Sequence, residues 1–190
     1  MQEKYPEHPQ VKDLMVGLDE FSVISDDSFF IDAHKALEKA NEDFMSGRQK
    51  FRILLVQDVK GRIVGKLSPM DLVQGLEPKY ADVIDPNRLK FKDALYVIKS
   101  MTTQKVLWDK PLDSLCQVAQ NTRIREFLKF PAEGHKVKMN DSLDNALHLF
   151  VVARHDSLFV VEGSQLVGLL LFSDVYKYIS DMIKDSCRLD

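Results

Sequence analysis

An internal repeat constrains the fold of this chain more than any other feature of its sequence. Residues 11–15 (VKDLM) and 124–128 (IREFL) have the same order of apolar, basic, acidic, apolar and apolar side chains. "VISDDS" at 23–28 is echoed by "VKMNDS" at 137–142, and an Ala/Leu-patterned stretch follows each. Paired apolar runs and an Asp-containing helix start complete both copies. Features that recur in one order predict two copies of one structural unit.

Each copy is predicted to run strand, helix, strand, turn, strand, helix. The apolar runs within 52–68 and 157–172 have the length and composition of strands, and Gly61 and Gly163 are expected to supply positive φ in the turns between them. The stretch after "VISDDS" predicts a helix with one buried face, because its apolar residues recur three and four positions apart. The residues of that face are Ala33, Ala36, Leu37, Ala40 and Phe44. The fold class is therefore α/β.

The repeat also predicts the domain boundaries. Residues 1–10 form a tail, 11–76 the first copy, 77–120 a helical insertion, 121–184 the second copy and 185–190 a second tail. Prolines 78, 86 and 111 punctuate the insertion, and its helical stretches are expected at 87–101 and 111–120. The apolar face of the first stretch either packs on the core or forms a surface for a partner.

Composition excludes several classes of partner. With 190 residues and a net charge of −3, the chain gives no electrostatic argument for nucleic acid or an anionic membrane. Cys116 and Cys187 lie far apart without metal-ligand spacing, which fits a reducing compartment. The start lacks the basic and apolar regions of a signal peptide, and the apolar runs are too short to cross a bilayer. We therefore expect a cytoplasmic protein.

The segment "GKLSPMDL" at 65–72 is the best candidate site. Gly65 is expected to end a strand where the backbone approaches another group or turns sharply. Ser68 suits the N-cap of the next helix and Pro69 its first position. Free N–H groups at a helix start suit a phosphate, and the Asp71 carboxylate could accept hydrogen bonds from a ribose diol. The alternative is that Ser68 and Asp71 only cap the helix.

With these motifs in place, the chain resembles a tandem pair of CBS domains (cystathionine β-synthase-type), often called a Bateman module. The resemblance covers both copies, 11–76 and 121–184. It implies two βαββα units that pack as a pseudo-symmetric pair, here with the helical insertion between them. It also implies clefts that bind an adenosine-containing ligand (AMP, ADP, ATP or S-adenosylmethionine), and a homodimer.

The same resemblance implies roles for individual residues. Ser68 and Asp71 would contact phosphate and ribose, and Arg52 would face the phosphates, although it could be a plain surface residue. Val23 and Ile24 would line the adenine pocket, or simply belong to a core strand. Gly65 would lie beside the ligand, and Val137 and Asp174 are the counterparts in the second copy. That copy places Leu171 opposite Ser68 and Ser157 opposite Arg52, so we expect one good site rather than two.

No motif indicates catalysis or a metal site. The five histidines have no metal-ligand spacing, and no nucleophile elbow, Walker A loop or dinucleotide fingerprint is present. The predicted function is a non-catalytic regulatory sensor without a covalent cofactor, acting on an unidentified effector protein. The alternative is a ligand-free structural or protein-interaction module that contacts its partner through the insertion.

Overall fold

The structure is a computed structural model that describes residues 6, 8–76, 114–128, 135–153 and 155–187. The strands are β1 (Val16–Gly17), β2 (Ser22–Ser25), β3 (Leu54–Gln57), β4 (Ile63–Leu67), β5 (Lys136–Lys138), β6 (Ser157–Glu162) and β7 (Gln165–Leu171). The α-helices are α1 (Phe30–Met45), α2 (Pro69–Gly75), α3 (Leu115–Asn121), α4 (Ile124–Phe127), α5 (Leu143–Ala153) and α6 (Phe172–Cys187). Short 3₁₀ turns occupy Val11–Asp13 and Leu18–Glu20.

Contacts divide the chain into two compact units, which do not follow the chain order. The three-stranded unit comprises the described residues of Phe21–Phe130. The four-stranded unit comprises those of Met1–Glu20 together with Pro131–Asp190. This division differs from the predicted sequence copies, whose boundaries stay a prediction.

The three-stranded unit has the strand order β2-β3-β4. β2 and β3 are parallel and joined through α1, whereas β3 and β4 form a hairpin in which Gly61 has a φ of 79°. This is the βαββα order that the repeat predicts. Side chains alternate between the two faces of a strand. Leu54, Val56 and Leu67 point to the face that the helices cover, and they are buried there. Phe44 differs from the prediction for α1, since its side chain is 38% exposed.

The four-stranded unit repeats this order and adds β1 at one edge, giving β1-β7-β6-β5. β5 and β6 are parallel, and β6 and β7 form a hairpin whose Gly163 has a φ of 61°. Its core gathers residues from the turn at Val11–Asp13, from the strands β5, β6 and β7, and from the helices α5 and α6. Those fully or nearly fully buried are Val11, Val137, Leu143, Ala146, Phe150, Leu158, Val160, Leu170 and Val175.

Each copy begins with a short segment that packs in the unit formed mainly by the other copy. Val11 is fully buried in the four-stranded unit, where its N–H donates to Asp141 O at 3.0 Å. Ile124 is fully buried in the three-stranded unit, where its N–H donates to Ser28 O at 2.9 Å. Donors and acceptors in the two pairs are offset by the same 113 residues. The repeat is therefore a repeat of contacts as well as of sequence.

Strand register corrects the alignment of the copies by one residue. Val56 lies between Ile24 and Gly65, and Val160 lies between Val137 and Gly168. Ile24 is therefore the counterpart of Val137, although the sequence patterns place Val23 there. A one-residue shift moves a side chain to the other face of a sheet, so hydrogen-bond register is the stricter criterion.

The predicted α/β class and the two βαββα units are confirmed. α3 overlaps the helical stretch expected at 111–120, beginning at Leu115 and ending one residue beyond it at Asn121. The stretch at 87–101 and the three prolines of the insertion lie outside the described residues. None of the helices that the structure describes is long and apolar enough to cross a lipid bilayer.

Candidate functional site

One end of the three-stranded sheet brings together most of the predicted site. β3 begins where β4 ends, with Leu54 opposite Leu67, and β2 begins at the same level. Arg52 lies two residues before β3 at this end, and Ser68 immediately follows β4. We call Arg52, Ser68 and Asp71 the first-repeat site.

Ser68 and Asp71 form a reciprocal capping box at the start of α2. Ser68 N–H donates to Asp71 Oδ2 at 2.7 Å, and Ser68 Oγ donates to the same oxygen at 2.6 Å. Asp71 N–H in turn donates to Ser68 Oγ at 3.4 Å. The predicted cap is thus present, with Pro69 in the first helical position. Ser68 is buried, so its hydroxyl fixes the position of the carboxylate.

The capping box limits what the helix start offers to a phosphate. Ser68 and Asp71 already use their N–H groups within the box, and Pro69 has none. Of the N–H groups in this turn, that of Met70 makes no hydrogen bond to the described residues. A carboxylate in the same turn also repels an anion. The arrangement is better suited to accepting hydroxyl hydrogens than to holding a phosphate.

The remaining oxygen of Asp71 provides this acceptor. Oδ2 receives both bonds from Ser68, whereas Oδ1 accepts no hydrogen bond from the described residues. A carboxylate has acceptor capacity for further donors, and a ribose diol presents two hydroxyl groups. The side chain is partly exposed, so a ligand can reach it.

Arg52 supplies the positive charge at this end of the sheet. Its guanidinium carbon lies 4.9 Å from the centroid of the Phe44 ring, in the last turn of α1. Among the described residues, the guanidinium makes this ring contact and no hydrogen bond or ion pair. Its side chain is exposed, which leaves its N–H donors accessible to an anionic ligand.

Gly65 lies within β4, so the prediction that it ends its strand is wrong. The close approach that was expected there does occur. A methyl group added at Gly65 would lie 3.0–3.2 Å from three side-chain carbons of Leu128, the residue after α4. The glycine therefore makes room for the core packing of the α4 segment.

The two β2 residues of the predicted adenine pocket point to opposite faces. Val23 is half exposed, on the face away from the helices, whereas Ile24 is partly buried against the core of the unit. Their proximity to Arg52 and Ser68 follows from the common sheet end. Their contact with a ligand stays a prediction.

The second repeat has a different chemistry at the equivalent end. Val137 is buried in the core, and Asp174 lies in the first turn of α6. The β7 register places Leu171 at the position of Ser68, as predicted. The β6 register places Asp156, rather than Ser157, at the position of Arg52. Reversal of this charge disfavours a phosphate there.

Sequence reasoning missed the role of Phe44. The helical period assigned it to the buried face of α1, yet it lies under Arg52. The repeat could not reveal the contact, because α5 ends after 11 residues whereas α1 has 16. A metal-binding group of three or more His, Cys, Asp or Glu side chains is absent from the part of the chain that the structure describes.

Residues 135–181 match the family model of the CBS domain. This part of the chain is therefore similar to CBS domains. The match lies in the four-stranded unit and covers its β5, α5, β6, β7 and most of α6. The predicted resemblance to tandem CBS proteins is confirmed by the solved structures that have the same fold. A search of curated proteins found no match.

Three solved structures illustrate the likeness. A putative acetoin utilization protein (AcuB) from Vibrio cholerae is 14% identical over 96% of this chain and 98% of its own, with a TM-score of 0.55. CBSX2 in complex with AMP is 17% identical over 91% and 97%, with a TM-score of 0.52. The cytosolic domain of the Mg²⁺ channel MgtE in complex with ATP is 20% identical over 92% of this chain and 50% of its own, with a TM-score of 0.52. At these identities the solved structures establish the fold alone.

Proposed function

We propose that this protein is a non-catalytic regulatory module that binds an adenine nucleotide at the first-repeat site. The observation that carries the proposal is the Asp71 carboxylate, fixed by Ser68 at the same sheet end as Arg52. This arrangement supports the proposal, because a free carboxylate oxygen suits ribose hydroxyls and a nearby cation suits a phosphate. CBSX2 and the MgtE cytosolic domain, which have the same fold, were solved with AMP and ATP.

Charge favours AMP, ADP or ATP over S-adenosylmethionine. Arg52 presents a planar set of donors that matches phosphate oxygens, and S-adenosylmethionine has no phosphate. Ser68 acts through Asp71 in this proposal, because its hydroxyl already donates to the carboxylate. Gly65, Val23 and Ile24 would shape the surroundings. We further propose that the protein is a cytoplasmic homodimer and that the ligand shifts its equilibrium between two packings, which an effector protein senses.

The second repeat favours a second candidate function. Leu171 and Asp156 replace the serine and the arginine of the first repeat. A CBS module in which neither site binds ligand would act as a structural or interaction module, contacting a partner through residues 77–120. Deletion of these residues would then abolish partner capture, and nucleotide would have no effect on it.

Calorimetric titration with AMP, ATP and S-adenosylmethionine tests the proposal. We expect the wild-type protein to bind AMP or ATP, and Asp71→Ala to weaken binding at least tenfold, because a hydrogen bond to a charged group contributes about 1.5–3 kcal/mol. Asp71→Ala also removes a helix cap. Asp32→Ala is the matched control, because Asp32 caps α1 through Phe29 N–H at 3.2 Å, and α1 begins beyond the opposite end of β2.

Asp32→Ala should bind nucleotide with wild-type affinity. Its thermal stability should fall by about as much as that of Asp71→Ala, because both variants lose a helix cap. Absence of binding by the wild-type protein at millimolar concentrations of all three ligands would refute the proposal. Equal loss of affinity in Asp71→Ala and Asp32→Ala would place the site elsewhere.

A further inference from the structure

The backbone that carries Arg52 is held against the start of β2 by two contacts. Phe51 stacks on the buried Phe21, with ring centroids 4.7 Å apart. Gln49 Nε2 donates to Ser22 Oγ at 3.3 Å, which connects the turn before β3 to the start of β2. The position of the Arg52 backbone is therefore set by the sheet, and the orientation of its long side chain is what remains to be determined.

The last turn of α1, which carries Phe44, is also held firmly. Arg48 donates to Asp43 Oδ1 through Nε at 2.9 Å and through Nη2 at 2.6 Å. The hydrogen bonds from Arg48, together with the charges of Arg48 and Lys39, lower the pKa of Asp43 below its ordinary value. Gly47, with a φ of 73°, ends the helix in the left-handed conformation that glycine favours. The Phe44 ring thus has a fixed support next to the site.

The contact between the two side chains leaves the donors of Arg52 available. A guanidinium over a ring uses its face, whereas its five N–H donors lie in its plane. Stacking on an aromatic ring and binding of a phosphate at the edge are therefore compatible. Stacking also reduces the rotamer freedom that Arg52 would otherwise lose when a ligand binds.

We propose that Phe44 is a positioning residue that orients Arg52 toward the phosphate of the nucleotide. This inference rests on the proposed function and specifies how its site selects phosphorylated ligands. The second repeat supports it, because the described residues of that repeat contain neither half of the pair. α5 ends before it reaches a residue equivalent to Phe44, and Asp156 stands in the position of Arg52.

A double-mutant cycle with AMP as the ligand tests the inference. Four proteins are titrated by calorimetry: wild type, Phe44→Leu, Arg52→Gln and the double variant. We expect Phe44→Leu alone to weaken AMP binding about three- to tenfold, the range of a partly desolvated cation–π contact. In the Arg52→Gln background, Phe44→Leu should leave AMP affinity unchanged, because the guanidinium that Phe44 orients is absent. Phe44→Trp should retain wild-type affinity, and Met45→Leu, on the same exposed turn, is the matched control.

Each other outcome overturns the inference in a recognisable way. If Phe44→Leu changes AMP affinity less than twofold, or weakens it equally in both backgrounds, Phe44 does not act through Arg52. If Arg52→Gln binds AMP as well as the wild type, Arg52 does not hold the phosphate, and the proposed function survives on Asp71. If the wild-type protein binds no nucleotide, the proposed function fails and this inference fails with it.

Discussion

At the scale of single residues, Gly65 allows a sharp test of core packing. An added methyl group would meet three carbons of Leu128, and so the whole end of that side chain would have to move. Overpacking of this kind costs about 1–3 kcal/mol. Alanine in a strand regains about 0.5–1 kcal/mol relative to glycine. We therefore expect Gly65→Ala to lower the free energy of unfolding by about 1 kcal/mol in urea titrations.

The sign of this effect should reverse when the obstacle is removed. In a Leu128→Ala background the methyl group finds space, and Gly65→Ala should then be neutral or stabilising. A loss of the same size in both backgrounds would show that Leu128 is not the reason for the glycine.

The residue scale also shows what sequence could reveal of the site. Ser68, Pro69 and Asp71 identify their own cap, because a capping box depends on neighbours three positions apart. The contact of Arg52 with Phe44 depends on the length of α1, which brings residue 44 back to the start of β3. No local pattern contains that length. The cap formed by Ser68 and Asp71 was therefore predictable from neighbouring residues. The contact between Arg52 and Phe44 was not, because it depends on where a long helix ends.

At the scale of elements, α3 and α4 form an arm within the three-stranded unit that packs against α1 and α2. Arg123 anchors it through three contacts: Nη1 donates to Asp27 O at 2.6 Å and pairs with the Asp27 carboxylate at 2.8 Å, and the guanidinium lies over Phe29 at 4.5 Å. Arg125 makes an ion pair with the same carboxylate at 2.7 Å. The side chains are 32% and 55% exposed, respectively.

These differences predict unequal effects of two similar substitutions. Arg123→Ala should lower the free energy of unfolding by about 1–2 kcal/mol, because it removes a charge-assisted backbone hydrogen bond and a cation–π contact as well as an ion pair. Arg125→Ala should cost less than about 1 kcal/mol, as exposed ion pairs do. Urea unfolding of both variants at one ionic strength compares them directly. Equal losses would mean that the backbone hydrogen bond and the ring contact of Arg123 add nothing to its ion pair.

At the scale of the whole molecule, the repeat predicted the order of the described strands and helices in both units, each of which is completed by a segment from a distant part of the chain. "VKDLM" and "IREFL" were correctly paired with each other, since Val11 and Ile124 have equivalent contacts. Nothing in the sequence states that each packs into the unit of the other copy. Sequence similarity between two segments indicates that they make equivalent contacts. It does not indicate which part of the chain supplies the residues that they contact. The one-residue error between Val23 and Ile24 has the same origin, because register is set across strands.

The exchanged lead-in segments give a prediction for the whole molecule. Ile124→Ala should destabilise the three-stranded unit by about 2–5 kcal/mol, because it leaves a cavity at a fully buried site. Val11→Ala should act on the four-stranded unit in the same way, with a smaller loss for the smaller side chain. Hydrogen exchange followed by mass spectrometry locates each effect. Ile124→Ala should release protection mainly in β3 and β4, and Val11→Ala mainly in β6 and β7. If Ile124→Ala instead released β6 and β7 first, its side chain would stabilise the copy to which it belongs in sequence, and the exchange of segments would be refuted.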